Sequence, residues 1–410
     1  CFGQTPPLLF SGAHPPRRPP LPFVRPLHWG PPSLRSFVRV PLAMHAHHPA
    51  GGTSDRLARA AAAVAPLMLV GLCVSGEGEA RRVVALDSSM SVHSIRWPVL
   101  GGRAPAVSSA RRRCSTQLPT SDSHRPSCCA LLPLGDAGRG ALVLSGGHWD
   151  GALVASSELG RTVHVAIAHA SSIRCVALAP HGAALLTGAA DASVLVWDLA
   201  PKGSLTATPT PARALRGHVA EITAVAISSE LGLAASGGAD GAVLMHTVHN
   251  GALLRALAHP DGAPVGHLHL AATPGRLILG SSAAGDPHVH VYSLGGARLH
   301  TLEVPGGVRT TALSADGALL VVGGARGLLA AWRLDDGELA CRFENVGAAV
   351  SCATVNANEL LIGTQEGELV GFALDPGALY HAPVRDVAAW ARTPQRQREQ
   401  VVRSPLGGAG

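Results

Sequence analysis

The chain is poor in the features that mark a zinc-binding module or a membrane span. Its eight cysteines form no CxxC pair, which argues against a zinc site. One charge-free apolar stretch, 60–74, is broken by Pro66 and Gly71 and falls short of the roughly 20 residues that cross a bilayer. Aromatic residues make up only 3% of the 410 residues. Neither a transmembrane segment nor a structural zinc site is therefore expected.

Basic residues are in moderate excess, with a formal net charge of +6. Except for Arg81-Arg82, the clear clusters, such as Arg17-Arg18 and 111–113, fall in segments rich in Pro, Ser or Gly. Solvated linker charge accounts for them better than a nucleic-acid surface does, and contact with phosphate or anionic lipid stays open. Cys175 and Cys352 lie in apolar runs, where a thiol packs as a small hydrophobe, so a reducing intracellular compartment fits the chain.

A repeat of 40 to 49 residues runs through roughly 140–375. Polar turns recur after apolar stretches that contain glycine, at Asp150, Asp191, Asp240, Asp286, Arg326 and Glu366. Six positions after each turn stand Ser156, Trp197, His246, Tyr292, Trp332 and Phe372. Each unit holds about four short strands, as in a propeller blade, and no amphipathic helical pattern lasts beyond eight residues. The sequence predicts an all-β propeller.

The propeller is assigned to 66–375, and we predict seven blades, one of them formed partly by 66–97, with six blades as the alternative. Unpaired edges invite aggregation, so closure of the ring by this N-terminal part is expected. Three other segments are dense in Pro, Ser, Arg or His and are predicted to be irregular: a linker at 23–65, a disordered insertion at 98–139 and a disordered tail at 376–410.

Two repeat units share a further pattern of polar residues. His169, Thr187, Asp191 and Trp197 stand in one unit, and His218, Ser236 and Asp240 stand at the same spacings in the next. This pattern resembles the tetrad of WD-repeat proteins, which implies buried hydrogen bonds between neighbouring strands. His246 replaces the Trp, and Arg326 and Glu366 replace the Asp in later units, which implies that those blades depend more on apolar packing.

A second resemblance concerns the start of the chain. The segment "FGQTPPLLFSGAHPPRR" at 2–18 resembles the closing part of a BEACH domain, and "LVLSGGHWDGALVASS" resembles the first strong repeat of neurobeachin-like proteins. Residues 1–22 are accordingly assigned to the end of a BEACH domain. Because the chain opens with Cys1, we interpret it as a truncated product. The resemblance implies a protein-interaction scaffold in vesicle trafficking or membrane dynamics, in the cytoplasm or on the surface of intracellular membranes.

No residue pattern favours catalysis. The His, Ser/Thr and Asp set occurs twice at identical spacing, which indicates a structural network rather than a triad. The predicted inner-strand starts carry no carboxylate; they are Arg174, Thr223, Gly266, Arg309 and Ser351. His45, His47 and His48 fit a solvated loop better than a metal site. We expect no enzyme activity, cofactor or metal; the alternatives are a nuclear or RNA-linked WD-repeat adaptor and, less well supported, a propeller hydrolase.

Three arginines are candidates for a partner-binding rim. Arg174 and Arg309 are placed at the channel mouth, and Arg326 in a turn on the same face. Guanidinium groups form paired hydrogen bonds with carboxylate and phosphate, so an acidic peptide or an anionic headgroup is the expected ligand. Solvation or pairing with nearby carboxylates is the alternative. The expected partners are proteins and, in the intact molecule, an upstream BEACH domain.

Overall fold

A computed structural model of the chain describes 34–42, 68–76, 81–97, 107–111, 126–134, 141–179, 184–199, 209–283, 286–344, 346–356 and 359–374. These residues form 28 strands and two single 3₁₀ turns, Pro126–Cys128 and Ala325–Gly327. The strands make seven antiparallel sheets of four strands each. The predicted all-β propeller with seven blades is confirmed.

The strands are numbered along the chain. The first described strand is β1 (Leu34–Pro41). Blade 1 consists of β2 (Leu69–Ser75), β3 (Arg82–Asp87), β4 (Ser91–Arg96) and β5 (Val107–Arg111). Blade 2 consists of β6 (Cys129–Pro133), β7 (Ala141–Ser145), β8 (Ala152–Ser157) and β9 (Thr162–Ile167). Blade 3 consists of β10 (Ile173–Leu178), β11 (Ala184–Ala189), β12 (Val194–Asp198) and β13 (Thr210–Leu215). Blade 4 consists of β14 (Ile222–Ser228), β15 (Leu233–Gly238), β16 (Ala242–Thr247) and β17 (Leu253–Ala258).

The remaining blades follow the same order from the innermost to the outermost strand. Blade 5 consists of β18 (Val265–Ala271), β19 (Arg276–Ser281), β20 (His288–Ser293) and β21 (Arg298–Glu303). Blade 6 consists of β22 (Val308–Leu313), β23 (Leu319–Gly324), β24 (Leu328–Arg333) and β25 (Leu339–Glu344). Blade 7 consists of β26 (Val350–Asn356), β27 (Glu359–Thr364), β28 (Glu368–Leu374) and, as its outermost strand, β1.

The innermost strands of neighbouring blades contact one another all the way around the ring, including β2 against β26. Each of the seven blade-to-blade interfaces encloses one hydrophobic cluster. In β23, for example, Leu319 and Val321 pack towards blade 7, whereas Leu320 and Val322 pack towards blade 5. Both faces of such a strand are buried, which explains why it is apolar without a polar alternation.

The seam between the first and last blades carries polar contacts as well. Glu359 accepts hydrogen bonds from the guanidinium of Arg81 at 2.8 and 3.3 Å and from the indole of Trp97 at 3.1 Å. Ser351 donates to the carbonyl of Leu69 at 2.6 Å. These contacts join residues that are more than 260 positions apart in the chain.

Three strands lie where the sequence predicted irregular chain. The predicted linker 23–65 contains β1, and the predicted insertion 98–139 contains β5 and β6. As predicted, 66–97 form part of one blade, since β2, β3 and β4 lie there, and β5 completes that blade. The last blade is completed by β1, paired with β28, which lies outside the predicted propeller. An outer strand such as β5, "VSSAR", needs little apolar content because its outer side meets solvent, so composition alone misses it. The assignments of 1–22 and 376–410 lie outside the described residues.

Candidate binding face

The end of the ring at which the innermost strands begin is the candidate binding site, and we name it the upper face. Because neighbouring strands are antiparallel, the turn between the second and third strands of every blade lies at this end. The predicted turn residues occupy these turns. Asp150, Asp191, Asp240 and Asp286 each accept a hydrogen bond from the backbone N–H two residues later, at 2.9 to 3.1 Å. The six residues six positions further on are all buried in third strands.

Blade 3 carries a continuous polar network. His169 Nε2 lies 2.7 Å from Thr187 Oγ1, and Trp197 Nε1 donates to the same oxygen at 2.7 Å. His169 Nδ1 lies 2.6 Å from the hydroxyl of Ser193, which donates to Asp191 at 2.5 Å. Asp191 also accepts from the backbone N–H of Ala170 at 2.7 Å. The structure thus brings the four residues of this unit together, with Ser193 linking Asp191 to the imidazole.

Electrostatics in this network keep the acid charged and the base neutral. Burial lowers the pKa of His169, and the nearby Asp191 opposes this only in part. Burial acts to raise the pKa of Asp191, but hydrogen bonds from Ser193 and Ala170 outweigh it and lower the pKa. A neutral imidazole that bridges two hydroxyls is suited to holding strands together. Both ring nitrogens of His169 are used in these two contacts.

Blade 4 has the same spacing and a different network. His218 Nε2 lies 2.8 Å from the hydroxyl of Ser236. His246, at the position of the Trp, turns away and pairs with the carbonyl oxygen of Arg216 at 2.9 Å. The Nδ1 atoms of His218 and His246 are buried and have no hydrogen-bond partner among the described residues. Among the described residues, Asp240 accepts a hydrogen bond from the N–H of Ala242 in its own turn and from no other group.

Blade 1 contains a polar network that the sequence analysis missed. His93 Nε2 lies 2.9 Å from Asp87 Oδ2, and His93 Nδ1 lies 2.8 Å from the hydroxyl of Ser109. Both His93 and Asp87 are 1% exposed. Burial acts to raise the pKa of Asp87, yet hydrogen bonds from His93, Ser89 and Ser91 lower it. In the WD-repeat pattern the His precedes the Asp by 22 residues, as in His169 and Asp191. In blade 1 the His follows the Asp by six residues, so the pattern does not predict this pair.

Blade 5 replaces the network with stacked imidazoles. His288 and His290 alternate on β20 and lie on the same face of the strand, with ring centroids 6.1 Å apart. His290 is 3% exposed and packs edge-on against His259 at 5.3 Å. Burial lowers the pKa of His259 and of His290. The described part of the chain holds no group of three or more His, Cys, Asp and Glu side chains placed to bind a metal ion.

The three predicted rim arginines do not form one cluster. Arg309 and Arg326 both belong to blade 6, and Arg174 belongs to blade 3. Arg174 is paired with Glu221 at 3.3 Å, as the alternative interpretation allowed. Arg326 is exposed in its turn, in the left-handed conformation with a φ of 58°. Arg309 is exposed and lines the central cavity.

The central cavity has a volume of about 660 Å³ and is lined by residues of all seven innermost strands. Among the described residues that line it there is no Asp or Glu, and Arg309 is the one with a fixed charge. Two histidines of β18, His267 and His269, share this wall. Burial lowers the pKa of each to about 4, so both are neutral near pH 7. Two of the predicted inner-strand residues, Thr223 and Gly266, also line the cavity.

The six described cysteines are buried free thiols. Burial raises the pKa of Cys73 and Cys352 to about 12 and that of Cys341 to about 11. Such thiols stay protonated near pH 7 and are poor nucleophiles. His45, His47 and His48 lie outside the described residues. Within the described segments, no helix has the length and apolarity that crossing a bilayer requires.

Comparison with known proteins shows which family this propeller belongs to. The family model of the neurobeachin beta propeller domain matches residues 109–381. The chain is 26% identical to BEACH domain-containing protein B of Arabidopsis thaliana over 396 residues, which cover 91% of the chain and 15% of the relative. It is 25% identical to a neurobeachin homolog of Caenorhabditis elegans over 236 residues, 54% of the chain and 9% of the relative. The chain thus spans less than a fifth of the length of these relatives.

Proposed function

The chain belongs to the neurobeachin β-propeller family, and on that premise we propose that it is a non-catalytic scaffold that binds other proteins through its upper face. The observation that carries this proposal is the set of side chains that line the central cavity. Its lining offers one guanidinium, two neutral imidazoles and several hydroxyls, without a carboxylate to act as acid or base. Such a lining is suited to recognition of a partner group.

The polar networks support the same function. The His and Asp side chains of blades 1 and 3 form hydrogen bonds with the strands and turns of their own blades. Each such bond contributes ~1 kcal/mol, and leaving a buried partner unpaired costs ~1–3 kcal/mol. These residues therefore stabilise the ring and leave its upper face to bind partners.

For the whole protein we propose a place in vesicle trafficking or membrane dynamics. The relatives are named for their BEACH domain or for neurobeachin, and the chain covers a small part of each. The proposed partners are an upstream BEACH domain in the same molecule and further proteins that bind the upper face. The proposed location is the cytoplasm, including the surface of intracellular membranes.

The test is a quantitative pull-down with the 410-residue chain and the double variant Arg174→Glu, Arg309→Glu. We expect the variant to retain fewer cellular proteins and the wild-type capture to weaken as salt rises. The matched control is Arg161→Glu, Arg298→Glu. It reverses two exposed charges at the end of the ring opposite the upper face, where the fourth strands of blades 2 and 5 begin. Because Arg174 pairs with Glu221, the variant Glu221→Gln shows what loss of that ion pair does by itself.

Each variant must first melt cooperatively, so that loss of capture is not loss of fold. Equal capture by the wild type and the double variant, with no dependence on salt, would exclude the arginine surface. Trafficking is tested separately, by the distribution of a vesicle cargo in cells that express the full-length protein with or without this propeller. An unchanged cargo distribution would contradict that part of the proposal.

A further inference from the structure

We propose that the cavity mouth between blades 5 and 6 binds a single carboxylate of an acidic segment in a partner protein, through the guanidinium of Arg309 and the imidazole of His267. This inference rests on the proposed function, since it names the chemistry of the partner at the upper face. We name the site, consisting of His267, His269, Arg309 and Thr311, the carboxylate pocket.

Arg309 is placed for this role by a break in the strand register. In blade 6, Val308 pairs with Gly324 and Thr310 pairs with Gly323, so Arg309 falls on a bulge between them. Bulges at such positions direct a side chain away from the regular sheet. Arg309 is exposed and lines the cavity, and no described carboxylate forms an ion pair with it. Its charge is therefore available to a ligand.

The two histidines complete the wall on the neighbouring blade. His267 and His269 are two positions apart on β18, so both face the cavity. His269 Nε2 lies 2.7 Å from Thr311 Oγ1 of blade 6, which holds that ring across the blade boundary. No described residue forms a hydrogen bond with the ring of His267. An imidazole N–H of His267 is thus open to an acceptor in the cavity.

The charge of the pocket selects a carboxylate over a phosphate. Both imidazoles are neutral near pH 7 because burial lowers their pKa to about 4. Among the described lining residues, the fixed charge is therefore that of Arg309 alone. A carboxylate matches this single charge, whereas a phosphate monoester carries about −1.5 to −2 at pH 7 and leaves excess negative charge in a partly enclosed site.

The shape of the mouth admits a polypeptide. Gly306 and Gly307 stand next to the pocket in the loop that leads into β22, and both line the cavity. A Cβ atom added to Gly306 would meet open space, so nothing obstructs the approach at that point. The central cavity behind the mouth has a volume of about 660 Å³, within the ~300–1,000 Å³ typical of ligand sites, so it accepts an acidic side chain together with its methylene groups.

The experiment measures direct binding of defined peptides by fluorescence anisotropy with an uncharged dye. The probe is a peptide of alternating glutamate and alanine with an amidated C-terminus. Two comparison peptides replace each glutamate with glutamine or with phosphoserine. We expect the glutamate peptide to bind, the glutamine peptide to bind at least tenfold more weakly, and the phosphoserine peptide to bind no better than the glutamate peptide.

The variants locate the site. Arg309→Gln should lower the affinity for the glutamate peptide at least tenfold. Arg309→Lys should lower this affinity less, and His267→Leu should lower it several-fold. The matched control is Arg161→Gln, which removes another exposed guanidinium, from the turn before β9 at the end of the ring opposite the upper face, and should leave the affinity unchanged. A bound carboxylate favours the imidazolium form, so the peptide should also raise the pKa of His267 in NMR titrations.

Four results would overturn the proposal: no binding of the glutamate peptide, equal binding by Arg309→Gln, tighter binding of the phosphoserine peptide, or an unchanged pKa of His267 in the complex. These outcomes are separate from those of the pull-down. A scaffold that binds elsewhere on the ring would still capture proteins while failing the peptide test. Peptide binding would stand even if no cellular protein were captured.

Discussion

Blades 3 and 4 have the same polar spacing and different interiors. In blade 3, His169, Thr187 and Trp197 form a closed hydrogen-bonded chain from one strand to the next. In blade 4, His246 takes the place of the Trp and pairs with a loop carbonyl, and Ala242 stands where blade 3 has Ser193. Ring nitrogens of His218 and His246 are therefore without partners among the described residues. The comparison shows that spacing sets where polar residues meet, whereas the residue after the turn and the residue on the third strand decide whether the network closes.

The largest difference between these blades is expected from truncation on the third strand. Trp197 is fully buried, packs in the cluster between blades 2 and 3 and donates to Thr187. Trp197→Ala should lower the free energy of unfolding by about 3–5 kcal/mol. His246→Ala should cost less, because the side chain is smaller and makes one hydrogen bond. Denaturant unfolding of the two variants measures both values; a larger loss for His246→Ala would reverse the comparison.

The turn aspartates provide the next test. Asp191 accepts hydrogen bonds from Ser193 and Ala170, and Ser193 holds His169, so Asp191→Ala should cost about 1–3 kcal/mol. Stability is lost because Ser193, which contacts His169, no longer has Asp191 as its hydrogen-bond acceptor. Asp191 itself does not contact Thr187 in this network. Asp240→Ala should cost about 1 kcal/mol or less, since Asp240 accepts one backbone N–H. Thermal melts of the matched pair measure the difference, and equal shifts would show that the closed network adds nothing.

Acidification should weaken both blades. Burial lowers the pKa of His169 and His218 from the usual 6.5, against opposition from Asp191 and Asp240 respectively. Below about pH 6.5 the unfolded chain therefore binds more protons than the folded chain. The stability that is present above that pH is lost as the pH falls, by up to ~1.4 kcal/mol per pH unit for each histidine. The lowered pKa of Asp191 acts only nearer pH 4 and below.

Melting temperatures between pH 7.5 and 5 measure this effect. His169→Gln and His218→Gln should each give a shallower decline than the wild type, because each removes one buried group that gains a proton on unfolding. A variant that keeps the full slope would show that its histidine does not contribute to the acid sensitivity.

The smallest effect is expected at the equivalent turn of blade 6. Arg326 stands where blades 3 and 4 have Asp; its side chain is exposed, and its backbone is left-handed with a φ of 58°. Alanine disfavours that conformation about as much as arginine does, so Arg326→Ala should change stability by less than about 0.5 kcal/mol. A melting shift as large as that of Asp191→Ala would mean that this turn is not equivalent to the other two.

Much of the site could be predicted because it is local. The turn residues and the buried residues six positions later follow from a hairpin, whose two strands are adjacent in the chain. The hydrogen bonds of His169 and His218 follow from repeated spacing. Ser193 and the Asp87–His93 pair were missed because they belong to no repeated pattern, although an Asp and a His that flank a short polar turn were visible as a signal.

The carboxylate pocket could not be read from the chain in the same way. Its residues come from β18 and β22, and the spacing of His267 from Arg309 corresponds to nothing repeated elsewhere. Arg174 and Arg309 hold equivalent positions in their blades, yet Glu221 pairs with the first and no described carboxylate pairs with the second. Which arginine remains available depends on the neighbouring blade.

The sequence by itself determined the repeat period, the all-β class and the positions that turn or are buried, because each depends on residues within one hairpin or blade. The tertiary structure alone decided how the ring closes. The outermost strand of blade 7 is β1, more than 320 residues before β28, and its composition resembles that of a linker. A strand acquires its hydrogen-bonding partner and its buried face only when the ring brings the two ends of the chain together.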